Sequence, residues 1–153
     1  MMSRIVRTVT NILYSFILIF GFYIIMHGHL TPGGGFQGGA VVASGIALIL
    51  IAYGHETVER WIKESNLSIL ESTGALAFVG IAFLGIGTTF LYNFLANTGN
   101  IFGKAVESGI NPGDLNTAGI LPLLNWAVAL KVLAGLGSIV LLMAYAVTRG
   151  DEE

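Results

Sequence analysis

The sequence predicts an all-α integral membrane protein with four transmembrane helices and both termini in the cytoplasm. Three observations carry this. Of 153 residues, 54% are hydrophobic and only 10% charged, whereas soluble domains carry roughly 25% charged residues. Four apolar runs approach the ~20 residues needed to cross the hydrocarbon core. The basic residues gather at one set of run ends, which the positive-inside rule assigns to the cytoplasm.

The runs are expected over 9–26, 38–53, 70–94 and 120–147, within a single membrane domain covering 1–153. The first is too long for the apolar region of a cleaved signal peptide, and a second follows closely. Arg4 and Arg7 precede it. The second run is short and needs help from its flanks. After it, HETVERWIKES sets Val58, Trp61 and Ile62 among charges, including Arg60 and Lys63. That pattern suits a short amphipathic segment at the membrane surface. Glu71 stands at the expected start of the third span, where a helix N-terminus favours an acid. Thr88, Thr89 and Asn93 are expected to hydrogen-bond between helices. The loop over 96–118 is polar and rich in Gly and Asn, faces outward and turns at Pro112-Gly113. The fourth run opens with Pro122, which suits a first helical turn, and Arg149 follows it. Tyr14, Tyr23, Tyr92, Trp126 and Tyr145 suit packing and interfacial anchoring. Asp151, Glu152 and Glu153 read as a solvated tail. No internal repeat supports an inverted-repeat transporter.

Composition also excludes. With no cysteine, the chain offers no thiolate nucleophile, disulfide or Cys-ligated metal or cluster. Its net charge of −2 gives no basic footprint for nucleic acid.

The stretch HGHLTPGGGFQGG at 27–39 has three readings. Gly33-Gly34-Gly35-Phe36-Gln37-Gly38 matches G-x-G-x-x-G in form. A dinucleotide site needs that motif between a strand and a βαβ helix, and here a membrane-length run precedes it. Metal or haem is the second reading. His27 and His55 bound the second run, ~24 Å apart at 1.5 Å per residue, too far to share one metal. The third reading is structural. Pro32 cannot continue a helix, and glycines admit positive φ and close backbone contact. Irregular backbone at membrane depth must be covered by protein or line a wet cavity, so the loop argues for a partner pressed against it. Beyond it, Gly39, Ala43 and Ala47 form a small-residue stripe on which a helix can pack.

Lys131 sits nine residues into the fourth helix from Pro122, ~14 Å along its axis. A central lysine costs ~2.5–3.5 kcal/mol on insertion scales. Ala127, Ala134, Gly135 and Ser138 surround it with small residues, a groove where a helix can approach. Within the chain, Glu71 and Asp114 lie near opposite membrane faces, so its partner is expected from another subunit or a water-filled path. Three roles stay open: snorkelling to an interface, a structural interchain ion pair, or a step on a proton or sodium path.

Phe22-Tyr23, Gly28-His29, Pro32-Gly33-Gly34-Gly35-Phe36 and Gly38-Gly39 resemble the B-type subunit of the multi-subunit Mrp-type sodium/proton antiporters. So does the run to Ala52-Tyr53. The match is close over roughly the first 60 residues and extends to the four-helix layout. The resemblance assigns His29, rather than His27, to the motif, together with Pro32, Gly33, Gly34, Gly35, Phe36, Gly38 and Gly39 at a subunit seam. The resemblance does not say which of these residues touches an ion; His29 and Lys131 are taken as the ion-translocation candidates. Such subunits also occur in relatives of respiratory complex I, among them archaeal membrane-bound [NiFe] hydrogenases and sulfur-reducing complexes. At two positions the chain departs from the antiporter pattern: an acid often stands where Asn125 is, and an apolar residue where Lys131 is. The departure favours the redox-linked branch.

The resemblance therefore implies a multi-pass cell-membrane subunit without catalysis of its own, helping to move sodium ions or protons. Its partners would be other antiporter-like membrane subunits and hydrogenase-like peripheral subunits. Nickel-iron and iron–sulfur centres would belong to those partners, and this chain would hold no metal or cofactor. A stand-alone antiporter subunit, a purely structural assembly subunit and a small haem cytochrome are the rival readings.

Overall fold

A computed structural model describes residues 2–106 and 113–150. Pro112 and the acidic tail lie outside those residues. Among the described residues there are five helices: α1 (Arg4–Met26), α2 (Gly34–Tyr53), α3 (His55–Trp61), α4 (Glu64–Phe83) and α5 (Leu121–Gly150). No strand occurs among the described residues, only an isolated bridge between Lys104 and Thr117. α1, α2, α4 and α5 are each long and apolar enough to cross a membrane.

The boundaries follow local chemistry. Ser3 caps α1 by accepting a hydrogen bond from the Val6 amide at 3.4 Å, one of the orphan donors of a helix start. Pro32 and Gly33 turn the chain into α2. Gly33 has φ +144° and Gly34 φ +61°, values that L side chains resist. Gly54, at φ +82°, closes α2 through its amide bonded to the Leu50 carbonyl and starts α3, the expected surface segment.

The span bounds differ from expectation: α1 starts at Arg4, five residues before the apolar run, so that Arg4 and Arg7 lie within it, and α5 runs to Gly150, three residues past its run. α2 begins at Gly34, so Gly34, Gly35 and Phe36 belong to the helix and not to the preceding loop. That lengthens the short second span to 20 residues. α4 runs over Glu64–Phe83, six residues earlier at its start than the apolar run and eleven shorter at its end. Packing against α5 draws the polar stretch ESNLS into the helix. Tight turns after Phe83 end it, with the Leu91 amide reaching back to the Ala82 carbonyl. Thr88, Thr89 and Asn93 therefore lie outside any span. Asn93 instead ties the segment after α4 to the entry of α5: its amide donates to the Ala118 carbonyl (3.0 Å) and its oxygen accepts from the Ile120 amide (2.9 Å).

The helices stand in the order α1, α2, α5, α4, with α2 and α5 central. The main apolar cluster joins Ile46 and Ile49 of α2, Val58 of α3, Leu67 of α4, and Ala134 and Leu141 of α5. The Tyr53 hydroxyl donates to Asn11 Oδ1 at 2.7 Å, and the Arg7 guanidinium lies 5.3 Å above the Tyr53 ring. The start of α1 and the end of α2 are thus pinned at one end of the bundle.

Each main seam closes on glycine. Between α1 and α2, a Cβ on Gly38 would lie 3.0 Å from the Gly21 carbonyl oxygen. Between α2 and α5, one on Gly39 would lie 2.7 Å from the Ala129 carbonyl oxygen. Between α4 and α5, one on Gly74 would lie 2.7 Å from the Lys131 amide nitrogen and 2.8 Å from the Ala127 carbonyl oxygen. Gly80, further along α4, faces open space. Gly74→Ala must push two backbones apart, at a cost of about 1–3 kcal/mol, typical of overpacking. Gly80→Ala gains helix propensity, up to ~1 kcal/mol. Thermal unfolding of the detergent-solubilised variants should show a lowered midpoint for the first and an unchanged or raised one for the second.

Candidate functional site

The glycine stretch and α5 meet at Asn125. Gly34 and Gly28 both face the Asn125 side-chain amide, and Gly35 lies against its backbone carbonyl. A side chain on Gly35 would collide with that carbonyl. The motif therefore seats α5 of the same chain. The cover expected from a partner comes from α5 and, at Gly38, from α1. Of the motif, Phe36 and Pro32 face outward, so the expected subunit seam is left to those two residues. Gly39 and Ala43 are buried in the helix contacts and Ala47 is half-buried.

His27 and His29 part company. His27 stacks on Tyr23 with ring centroids 4.1 Å apart, and its Nδ1 lies 3.2 Å from the Tyr23 carbonyl oxygen. His29 is half-buried under the loop that leads into α5, with both ring nitrogens buried and no hydrogen bond of good geometry, the Leu115 backbone being the polar group beside them. Burial holds its pKa below the ordinary imidazole value of 6.5, because desolvation disfavours the charged form. The neighbouring His27 adds to this, and hydrogen bonding to the Leu115 backbone pulls the other way. His55 lies at the other end of the bundle, against Tyr145 and 3.4 Å from Glu59. Among the described residues no three His, Asp or Glu side chains gather to hold a metal.

Lys131 is not left for another subunit. Its Nζ lies 3.0 Å from Glu71 Oε1. An external partner is needed only if Glu71 stands at the start of its span. With α4 beginning at Glu64, Glu71 stands seven residues inside, ~10 Å along the axis. The long lysine side chain covers the remaining distance. Glu71 is thus an ion-pair partner and not a helix-terminal charge. The small residues around Lys131 are filled from within the chain: Gly74 sits against Ala127 and Lys131, and the Glu71 carboxylate lies over Gly135. Ala127 and Ala134 are buried. The Ser138 hydroxyl oxygen is also buried, without a hydrogen-bond partner. The pair itself stays half open, with the Lys131 side chain 50% exposed and that of Glu71 40%. Beside it a groove of about 260 Å³ is lined by Gly74, Ala75, Phe78, Val79, Ala127 and Val128.

A pair of opposite charges on two apolar spans can hold a proton on either partner, attract a passing cation, or change partners when a neighbour moves. Sequence reasoning finds Lys131 and misses Glu71. The one signal for Glu71 is a polar half-span that the hydropathy of the run conceals.

Lys131→Met leaves Glu71 unpaired, and Glu71→Gln leaves Lys131 unpaired; each unpaired central charge costs ~2.5–3.5 kcal/mol on insertion scales. Both single variants should unfold at lower temperature than the parent, and the double variant should recover most of the loss. A double variant no better than the worse single would show that the two groups do not act as a pair. His29 has a folded pKa below its unfolded value, so its contribution is present above pH ~6.5 and is lost as pH falls through the folded pKa. Hydrogen-exchange protection over 113–120, corrected for the intrinsic slowing of exchange at lower pH, should fall as the pH drops below ~6.5 in the parent, and less so in His29→Gln.

A family model described as a domain related to the MnhB subunit of Na+/H+ antiporters matches residues 5–138. An uncharacterised protein of Methanocaldococcus jannaschii is 41% identical over 126 residues, covering 81% of this chain and 45% of that protein. The B-type Na+/H+ antiporter subunit of Bacillus subtilis is 38% identical over 89 residues, covering 57% of this chain and 62% of the relative. Among solved structures, a chain of the membrane-bound sulfane sulfur reductase, an archaeal respiratory membrane complex, superposes with a TM-score of 0.74 and 30% identity. That match covers 93% of this chain and 58% of the other. The chain thus spans between 45% and 62% of the length of these relatives.

Proposed function

The chain belongs to the family of domains related to the MnhB subunit of Na+/H+ antiporters, and we propose that it serves in the cation- or proton-translocating membrane module of a redox-linked respiratory complex. It is a multi-pass membrane protein. The observation that carries the proposal is the likeness, over nearly the whole chain, to a chain of an archaeal respiratory membrane complex. In this reading both termini lie in the cytoplasm, on the side where Arg4, Arg7, Arg60 and Lys63 gather. Redox chemistry takes place in other chains, which hold any nickel, iron or clusters. A membrane-bound hydrogenase and a sulfur-reducing complex are the two hosts that suit it.

The chain's own contribution is electrostatic. Glu71 and Lys131 form a mid-membrane pair whose strength depends on what faces it. A shift in a neighbouring subunit that changes the field at Lys131 loosens or tightens the pair, and so makes the carboxylate more or less available to a proton or sodium ion. His29 stands at the opposite, outer end of α2, where a neutral imidazole can accept a proton. A stand-alone antiporter subunit is the second reading, favoured by the Bacillus subtilis relative.

A mild-detergent pull-down of the tagged chain from native membranes, with mass-spectrometric identification of partners, separates the two readings. Recovery of oxidoreductase subunits together with antiporter-like ones is the expected result; antiporter-like subunits alone would select the second reading. In the assembled complex, Lys131→Met should abolish or strongly reduce coupled ion movement measured in membrane vesicles. Intact transport in that variant would make the chain a structural subunit.

A further inference from the structure

We infer that the face formed by α4 and α5 around Glu71 and Lys131 receives a membrane-spanning helix of a partner subunit, and that this helix presents a neutral hydrogen-bonding side chain, an amide or a hydroxyl, to the ion pair.

The inference starts from hydrogen bonds left over. An ammonium has three donors and a carboxylate about four acceptor sites. The two groups meet through one contact, Nζ to Oε1 at 3.0 Å. Half of the Lys131 side chain and 40% of the Glu71 side chain remain open on the flank of the bundle. At this depth hydrocarbon satisfies none of those groups, and each one left unmet is costly.

The neighbouring surface of α4 carries an independent sign. Ser68 and Ser72 follow the same helix face and are exposed. Hydroxyls on a lipid-facing helix turn back to the carbonyl three or four residues earlier. Thr8, Ser15, Ser44 and Thr73 of this chain do so. Ser68 and Ser72 make no such bond, so their hydroxyls stay available to a group outside the chain. α4 is also the least apolar of the four spans.

Shape agrees with chemistry. Continuing along the same face, Ala75 and Val79 line the groove of about 260 Å³ next to Lys131. Small and apolar walls let a helix approach closely. The pair is neutral as a whole, so a further full charge would upset the balance, whereas an amide or hydroxyl can donate to Glu71 and accept from Lys131. A spanning helix with one such group at mid-depth meets both demands. The inference rests on the chain being one subunit of a membrane assembly.

The test is photo-cross-linking in the native complex. p-Benzoylphenylalanine is placed at Val79 and, separately, at Ala75, with Phe16 on the far edge of α1 as the comparison site. The attachment points are mapped by mass spectrometry. The expected result is attachment from Val79 and Ala75 to a spanning segment of a different subunit, with Asn, Gln, Ser or Thr within one turn of the attached residue. Attachment to lipid alone, to a second copy of this chain, to a peripheral subunit or to a spanning segment without such a residue would overturn the inference, as would no attachment at all. A second variant, Ala75→Phe, fills the groove beside Lys131 while keeping both charged side chains of the pair. It should lose that partner from the purified complex while the chain itself remains in the membrane. If the pull-down recovers partners but Val79 and Ala75 attach to none of them, the docking face is wrong and the subunit reading stands. If the chain is recovered alone, the subunit reading itself has failed.

Discussion

Everything in this molecule depends on how closely the backbone of α5 is approached from two sides. In a bilayer, apolar side chains gain little by leaving lipid for one another, so helices associate through van der Waals fit and polar contacts. Gly35 and Gly39 bring α2 against Asn125 and Ala129 on one side, and Gly74 brings α4 against Ala127 and Lys131 on the other. These contacts set the depth of α4 relative to α5. That depth in turn decides whether Glu71 can reach Lys131. A helix one turn out of register would be displaced by ~5.4 Å, and the carboxylate would face a different residue.

The fold class is legible in the sequence because hydropathy and length alone separate a membrane span from a soluble helix. A short helical segment after Tyr53 is legible from its alternation of charges with Val58, Trp61 and Ile62, and α3 stands there. The third span is not. ESNLS carries no apolar run, and what draws it into a helix is its packing on α5, a tertiary effect that no local pattern displays. The same displacement hides the ion pair. Lys131 is conspicuous as a lone charge in an apolar helix, but hydropathy puts Glu71 at a membrane surface, out of its reach. The glycine motif announces close approach, and the approach is real, yet the chain that comes near is α5 and not a foreign one. Spacing reveals that backbone must come near; it does not reveal whose.

The motif and the ion pair are connected through one helix. Asn125 and Lys131 lie six residues apart on α5, so a single helix carries both the seat of the glycine motif and the ion pair. Leu115, in the loop that leads into α5, lies beside His29. Asn93 braces that loop by holding both Ala118 and Ile120.

The helices stand in an open order, α1 beside α2, α2 beside α5, α5 beside α4, and the two outer members are not packed on each other. A ring of helices encloses an interior; a row does not. This chain therefore supplies one wall, with its charged pair on the wall's surface. Any aqueous passage running past Glu71 and Lys131 must take its opposite wall from another polypeptide. Selectivity would then be a joint property of two gene products, and substitutions in the second could alter which ion passes while leaving every residue of this chain unchanged.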